Sequence, residues 1–76
     1  MKVLIVAGNK LRYLPQNIKR LTNLRLLDVS SNLLKELSSE IIHLKKLNTL
    51  IANNNLMSQK SKDKVKVFET NCKIKL

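Results

Sequence analysis

Aromatic residues are scarce in this sequence, and their scarcity limits both the core and the ligands that the chain can hold. Tyr13 and Phe68 are the only two among 76 residues, so the core must consist mainly of Leu, Ile and Val. A chain with so few rings is poorly equipped to stack the bases of single-stranded nucleic acid. The presence of only one glycine and one proline also excludes collagen-like and low-complexity chains.

Cysteine is scarcer still. Cys72 is the only one, so no internal disulfide can form. The N-terminal apolar run, residues 3–7, is followed by Gly-Asn-Lys and does not have the pattern of a secretory leader. It is also far too short to span a membrane. We therefore expect an intracellular, reducing environment, which is the cytoplasm or, as an alternative, the nucleus.

Acidic residues are few and scattered, and the sequence contains no arrangement typical of catalysis. It has no glycine-rich phosphate loop, no Cys/His set with metal-ligand spacing and no Ser–His–Asp grouping. The lone His43 has no companions for metal binding or catalysis. The sequence therefore predicts a protein without catalytic residues, metal, cofactor or small-molecule substrate.

Basic residues are abundant: 15 against five acidic ones give a net charge of +10. Such a balance favours acidic partners, which are nucleic acid, an anionic surface or an acidic protein. The candidate polyanion contacts lie in the last quarter of the chain: Lys60, Lys62, Lys64, Lys66, Lys73 and Lys75. The alternative is that these lysines only keep the surface solvated.

What the chain does have is a repeat of 23 residues. In the middle of the sequence the repeated positions are Leu24, Leu27, Val29, Asn32, Leu34, Leu37, Ile41 and Leu44. The same residue types recur 23 positions earlier, from Met1 to Leu21, and the first five recur 23 positions later, from Leu47 to Met57. A fixed period in this range indicates stacked coils that bury a continuous core between them.

Each repeat predicts a short strand followed by a sharp bend. Leu27 and Val29 point to one face of the strand and Asp28 to the other. A bend buried between coils leaves backbone groups without ladder partners. An asparagine supplies both an acceptor and donors on a short side chain, so we predict a structural asparagine ladder of Asn9, Asn32 and Asn55.

These patterns, MxxLxVxxNxLxxLPxxIxxL, LxxLxVxxNxLxxLxxxIxxL and LxxLxAxxNxM, closely resemble leucine-rich repeats. The length and the Leu14-Pro15 pair are similar to the intracellular type found in Ras-pathway scaffolds, and the cysteine-clustered caps of extracellular members are absent. The resemblance implies an α/β-type solenoid, a right-handed superhelix with a short parallel sheet on its concave face and loops or short 3-10 turns on its convex face. It covers residues 1–57, as repeats at about 1–23, 24–46 and 47–57.

The segment 58–76 departs from the repeat. We expect residues 58–64 to form a solvated loop or irregular turn, because Lys60 and Lys64 fall where a coil needs inward apolar residues. Apolar residues resume at 65–68, and alternation over 72–76 predicts a last strand that is displaced by one inserted residue. The alternative is a disordered basic tail.

The outward strand positions supply the candidate binding surface, since the resemblance implies a non-catalytic protein-interaction module. The predicted contact residues on the concave face are Val3, Ile5, Arg25, Leu26, Asp28, Thr49, Ile51 and Asn53. The apolar members would supply affinity, and Arg25 and Asp28 would supply specificity. Three further alternatives concern the whole chain: it is a signalling scaffold, it is a fragment of a larger repeat protein, or it self-associates through its uncapped ends. The alternative for the surface is that these side chains contact only one another.

Overall fold

Four short strands form one parallel sheet in the computed structural model, which describes residues 1–14, 16–37, 41, 43–66 and 72–76. They follow one another in both sequence and space: β1 (Val3–Ile5), β2 (Leu26–Asp28), β3 (Thr49–Ile51) and β4 (Lys73–Lys75). All three pairings are parallel. This arrangement confirms the predicted solenoid with a parallel sheet.

The register of the sheet follows the sequence period. Leu4 pairs with Leu27 and Leu27 with Leu50, each 23 residues further on. Leu50 then pairs with Ile74, which is 24 residues away, so the last coil contains one additional residue. Because the register keeps equivalent residues side by side, every strand presents one apolar residue to the same interior.

Each of the first three coils leaves its strand through a residue with positive φ. These residues are Gly8, Ser31 and Asn54, with φ of 72°, 55° and 58°, and each immediately precedes an asparagine of the predicted ladder. A left-handed residue turns the chain sharply, so the bend recurs at the same place in every coil. Lys10, with φ of 58°, is a further left-handed residue in the first coil.

The return to the next strand is made by short 3-10 turns. A 3-10 helix covers Gln16–Arg20, and Leu21 N–H and Leu24 N–H donate to the carbonyls three residues before them, at 3.1 and 3.0 Å. The second coil repeats this pattern at Leu44 and Leu47, both at 3.0 Å. These turns agree with the convex face that the resemblance implies. Pro15 and residues 67–71, including Phe68, lie outside the described residues.

The crossover from β3 to β4 contains a helix where the sequence suggested a loop or irregular turn, so that expectation was wrong. Helix α1 spans Gln59–Lys66, and Ser58 caps it by accepting the Ser61 N–H at 3.2 Å. Lys60 and Lys64 are exposed, because a helix can turn both toward solvent while it buries Val65. The charges of Lys60 and Lys64 are therefore incompatible with a buried coil but compatible with a helix that exposes them.

The core is most completely buried in the second coil. Leu24, Leu27, Val29 and Leu34 are 0% exposed, because coils lie on both sides of them. In the first coil, the equivalents Leu4, Val6 and Leu11 are only partly buried, and Met1 is 68% exposed. Cys72, Ile74 and Leu76 are also only partly buried. Stability in this stack therefore depends on contacts between neighbouring coils.

Candidate functional site

The sheet has one face directed away from the core, and it contains most of the predicted contact residues. We call it the open sheet face: Val3, Ile5, Leu26, Asp28, Thr49, Ile51, Lys73 and Lys75. Val3 and Ile5 are 52% and 64% exposed, while Leu26 and Ile51 are half-buried. Strand alternation explains the placement, since Leu4, Leu27, Leu50 and Ile74 point inward between them.

The register arranges these side chains in two rows across the sheet. The first row is Val3, Leu26, Thr49 and Lys73, and the second is Ile5, Asp28, Ile51 and Lys75. Neighbouring strands lie about 4.8 Å apart, so each row spans about 14 Å from first to last strand. The face therefore changes from apolar at β1 to basic at β4.

Asp28 lies in the middle of this face, and its orientation is fixed by its own coil. Its Oδ1 accepts hydrogen bonds from Ser30 N–H at 3.0 Å and from Ser30 Oγ–H at 2.7 Å. The carboxylate is therefore held between Ile5 and Ile51, its neighbours in the register.

Arg25 and Asn53 flank the strands: Arg25 immediately precedes β2, and Asn53 lies two residues after the end of β3. The Arg25 carbonyl accepts Asn48 N–H at 2.9 Å and Thr49 N–H at 3.1 Å, which fixes its backbone while its side chain stays exposed. Asn53 is half-buried, and within the described part of the chain its Oδ1 is a buried side-chain atom without a hydrogen-bond partner. Arg25 is therefore accessible to a partner, whereas this oxygen of Asn53 is not.

Asn32 joins the first two coils. Its Oδ1 accepts the backbone N–H groups of Asn9 at 2.9 Å and Leu11 at 3.0 Å. Its Nδ2 donates to Val6 O at 3.1 Å in the first coil and to Val29 O at 2.9 Å in its own. Asn32 is only 4% exposed, and its bond to Val29 O is buried, so the side chain satisfies backbone groups that have no ladder partner at the bend.

Asn55 and Asn9 are the equivalents of Asn32 in the neighbouring coils. Asn55 accepts Leu34 N–H at 3.1 Å and donates to Val29 O and Ala52 O, both at 3.0 Å. Asn9 is exposed, and among the described residues its side chain bonds only within its own bend, to Val6 O at 2.8 Å and Ala7 O at 3.3 Å. Asn32 and Asn55 thus connect coils, and the Asn9 side chain does not.

The predicted polyanion contacts do not form one surface. Lys73 and Lys75 alternate with the inward Ile74 and therefore lie on the open sheet face. The other four are on α1, which packs on the core through Val65 from the opposite side. Asp63 lies among them and pairs with Lys66 at 4.0 Å. The six lysines are therefore divided between two sides of the molecule.

Two concave regions of the structure were not predicted from the sequence, although the 23-residue period could have indicated both. One, of about 570 Å³, is lined by Lys19, Thr22, His43, Lys45 and Lys46. Residues 22 and 45 are equivalent, so the stack brings their turns together. The other, of about 520 Å³, is lined by Arg12, Tyr13, Leu33, Lys35 and Leu56.

The described residues contain no group of three or more His, Cys, Asp or Glu that could hold a metal ion. Within the same ranges, no helix has the length and apolar character needed to cross a membrane.

Comparison with solved structures gives a neighbour for the whole fold. A leucine-rich repeat protein of Leptospira interrogans matches 99% of this chain with a TM-score of 0.92 and 33% sequence identity. This chain spans 19% of that protein's chain. No family model matches the chain, and no curated protein matches it significantly. Since the whole fold and a third of the aligned residues agree with that neighbour, the chain has the leucine-rich repeat fold.

Proposed function

We propose that the chain is a protein-interaction module that binds its partner on the open sheet face. The observation that carries this proposal is the exposure of Val3 and Ile5 beside Leu26, on the side of the sheet that faces away from the core. Apolar side chains that remain accessible on a rigid surface and have polar neighbours are typical of protein contact sites. The backbone ladder keeps their spacing fixed, so little ordering is needed on binding.

The charges of the face support a partner with a defined polarity. An apolar segment of the partner would cover Val3, Ile5 and Leu26, and its acidic residues would meet Lys73 and Lys75 about 10–14 Å away across the strands. Asp28 would accept a donor between these two regions. Such complementarity contributes mainly to specificity and association rate.

The distribution of lysines supports this proposal over a general polyanion binder. A polyanion would need to contact several cations at once, but α1 and β4 present theirs on opposite sides of the sheet. The open sheet face offers only two of the six C-terminal lysines to a single ligand, next to Thr49 and Ile51.

The experiment is capture of partners from the source cell with Leu26→Asp and Ile51→Lys variants, followed by affinity measurement with the purified partner. Both side chains are directed away from the core but half-buried, so each variant should keep cooperative thermal unfolding with a somewhat lower midpoint. We expect each to weaken partner binding by at least about tenfold. Lys64→Glu on α1 is the matched control and should bind as the unchanged chain does.

Retention of the partner by both sheet-face variants would refute this site. Loss of binding with Lys64→Glu, together with a steep decrease of affinity as salt increases, would favour the polyanion alternative. A scaffold role in signalling, which the resemblance implies, is part of the proposal and requires that the captured partner be recovered together with a second protein.

A further inference from the structure

A second surface lies beyond the asparagine bends, away from the open sheet face. We call it the bend groove: Arg12, Tyr13, Leu33, Lys35 and Leu56, which line a concavity of about 520 Å³. Leu33 and Leu56 are equivalent residues of successive coils, and each follows a ladder asparagine. Their N–H groups donate to Leu11 O at 2.7 Å and to Leu34 O at 2.8 Å, so the two side chains are stacked one coil apart.

The apolar side chains of the groove are accessible. Tyr13 is 77% exposed, Leu56 57% and Leu33 37%. The next residues along the chain, Leu34 and Met57, point into the core, and this alternation holds Leu33 and Leu56 outward. Tyrosine and arginine are enriched at the centres of protein interfaces, and both are present here beside two leucines.

The charged residues of the groove have one sign. Arg12 and Lys35 are equivalent residues of successive coils and line the same concavity, and none of the described residues that line it is acidic. Arginine binds a carboxylate with two parallel hydrogen bonds. An occupant that complements this groove therefore combines an aliphatic side chain with a nearby carboxylate.

We propose that the bend groove binds an acidic protein segment, with an aliphatic side chain of that segment seated between Tyr13, Leu33 and Leu56 and its carboxylates paired with Arg12 and Lys35. The single aromatic ring favours this occupant over single-stranded nucleic acid, which requires successive ring platforms. The proposal is independent of the open sheet face, because the two surfaces share no residue.

The test uses the full chain and two synthetic peptides. One alternates leucine and glutamate, and its matched control has lysine in place of glutamate. Titration is followed by NMR through the methyl signals of Leu33 and Leu56. We expect saturable shifts of these signals with the acidic peptide and none with the control peptide.

Leu56→Asp and Arg12→Glu should each raise the dissociation constant of the acidic peptide by about tenfold or more. Both positions are exposed, and retained unfolding cooperativity verifies the fold. Ile5→Asp on the open sheet face is the matched control and should leave this affinity unchanged.

The following results would overturn the proposal. They are equal shifts with both peptides, shifts confined to Ile5 and Leu26, tighter binding of a single-stranded oligonucleotide than of the acidic peptide, and concentration-dependent shifts of Leu33 and Leu56 without peptide. The last result would assign the groove to a second copy of the chain. Absence of any shift with the acidic peptide at saturating concentration would also overturn it.

Discussion

Asn32 and Asn55 share one acceptor, although they belong to different coils. The Nδ2 groups of both donate to the Val29 carbonyl, at 2.9 and 3.0 Å. A carbonyl oxygen has two lone pairs, so this buried residue is fully satisfied only when both side chains are in place. The bend of the second coil is thereby tied to the bend of the third.

Replacement of Asn32 should be among the most damaging changes in the chain. Asn32→Ala leaves the N–H groups of Asn9 and Leu11 and the Val6 carbonyl without these bonds, so we expect a loss of about 3 kcal/mol in the free energy of unfolding. Asn9→Ala, whose side chain bonds only within its own bend, should cost less than about 1 kcal/mol. Urea denaturation of both variants measures the difference, and equal losses would contradict the connecting role of Asn32.

Core truncation should depend on the coil in which it is made. Leu27 is fully buried, and its equivalent Leu4 is only partly buried. Leu27→Ala should therefore cost about 3 kcal/mol, and Leu4→Ala less, because Leu4 buries a smaller apolar area. Thermal and urea unfolding provide the comparison, and a greater loss at Leu4 would show that the second coil is not the most stable part of the stack.

The left-handed positions should respond in opposite directions to glycine and alanine. Gly8→Ala places a Cβ in open space but at a φ of 72°, so we expect a loss of about 1 kcal/mol from backbone strain alone. Ser31→Gly should relieve strain at φ 55° and leave stability unchanged or raised by about 0.5 kcal/mol. A stabilising Gly8→Ala, measured by urea unfolding, would contradict the left-handed bend.

The only thiol should react slowly in the folded chain. Burial raises the pKa of the Cys72 thiol, so a smaller fraction is thiolate at neutral pH than in an unfolded chain. Alkylation by iodoacetamide should therefore be slower in buffer than in urea at the same pH. Its rate should continue to rise with pH beyond the range in which an exposed cysteine is fully ionised.

The same shift makes a contribution to stability that depends on pH. Because the folded-state pKa lies above the unfolded one, the contribution is fully present below the unfolded pKa. It is lost as the pH rises through the folded pKa. Cys72→Ser, in which this group does not titrate, should weaken the alkaline loss of stability, and an unchanged pH profile would contradict the assignment.

The sheet could be predicted from sequence because one period fixes both its register and its bends. Leu27 and Asn32 have equivalents at the right distance on either side, and the physical demands of burial and hydrogen bonding leave few other places for them. The displaced register of Ile74 could also be predicted, since alternating residues at the end of the chain define one face of a strand wherever that strand begins.

Helix α1 could not be read from the same period, because the segment after Met57 no longer repeats. Its lysines indicated solvation, which a helix and a loop satisfy equally well. The capping contact of Ser58 and the inward position of Val65 distinguish a helix from a loop. Neither feature was predicted from the sequence, because the segment has no equivalent in the earlier coils. The bend groove is a different case: the period already assigns Leu34 to the interior, but that Tyr13, Leu33 and Leu56 line one concavity depends on how successive bends stack.

The graded burial of the coils also determines how backbone amides exchange with solvent deuterium. β2 and β3 have hydrogen-bonded strands on both sides, whereas β1 and β4 have one each. Local opening should therefore begin at the outer strands and reach Leu27 and Leu50 last. Amides of the two middle strands would then report global unfolding, while those at either edge would record fraying that leaves the rest of the stack intact.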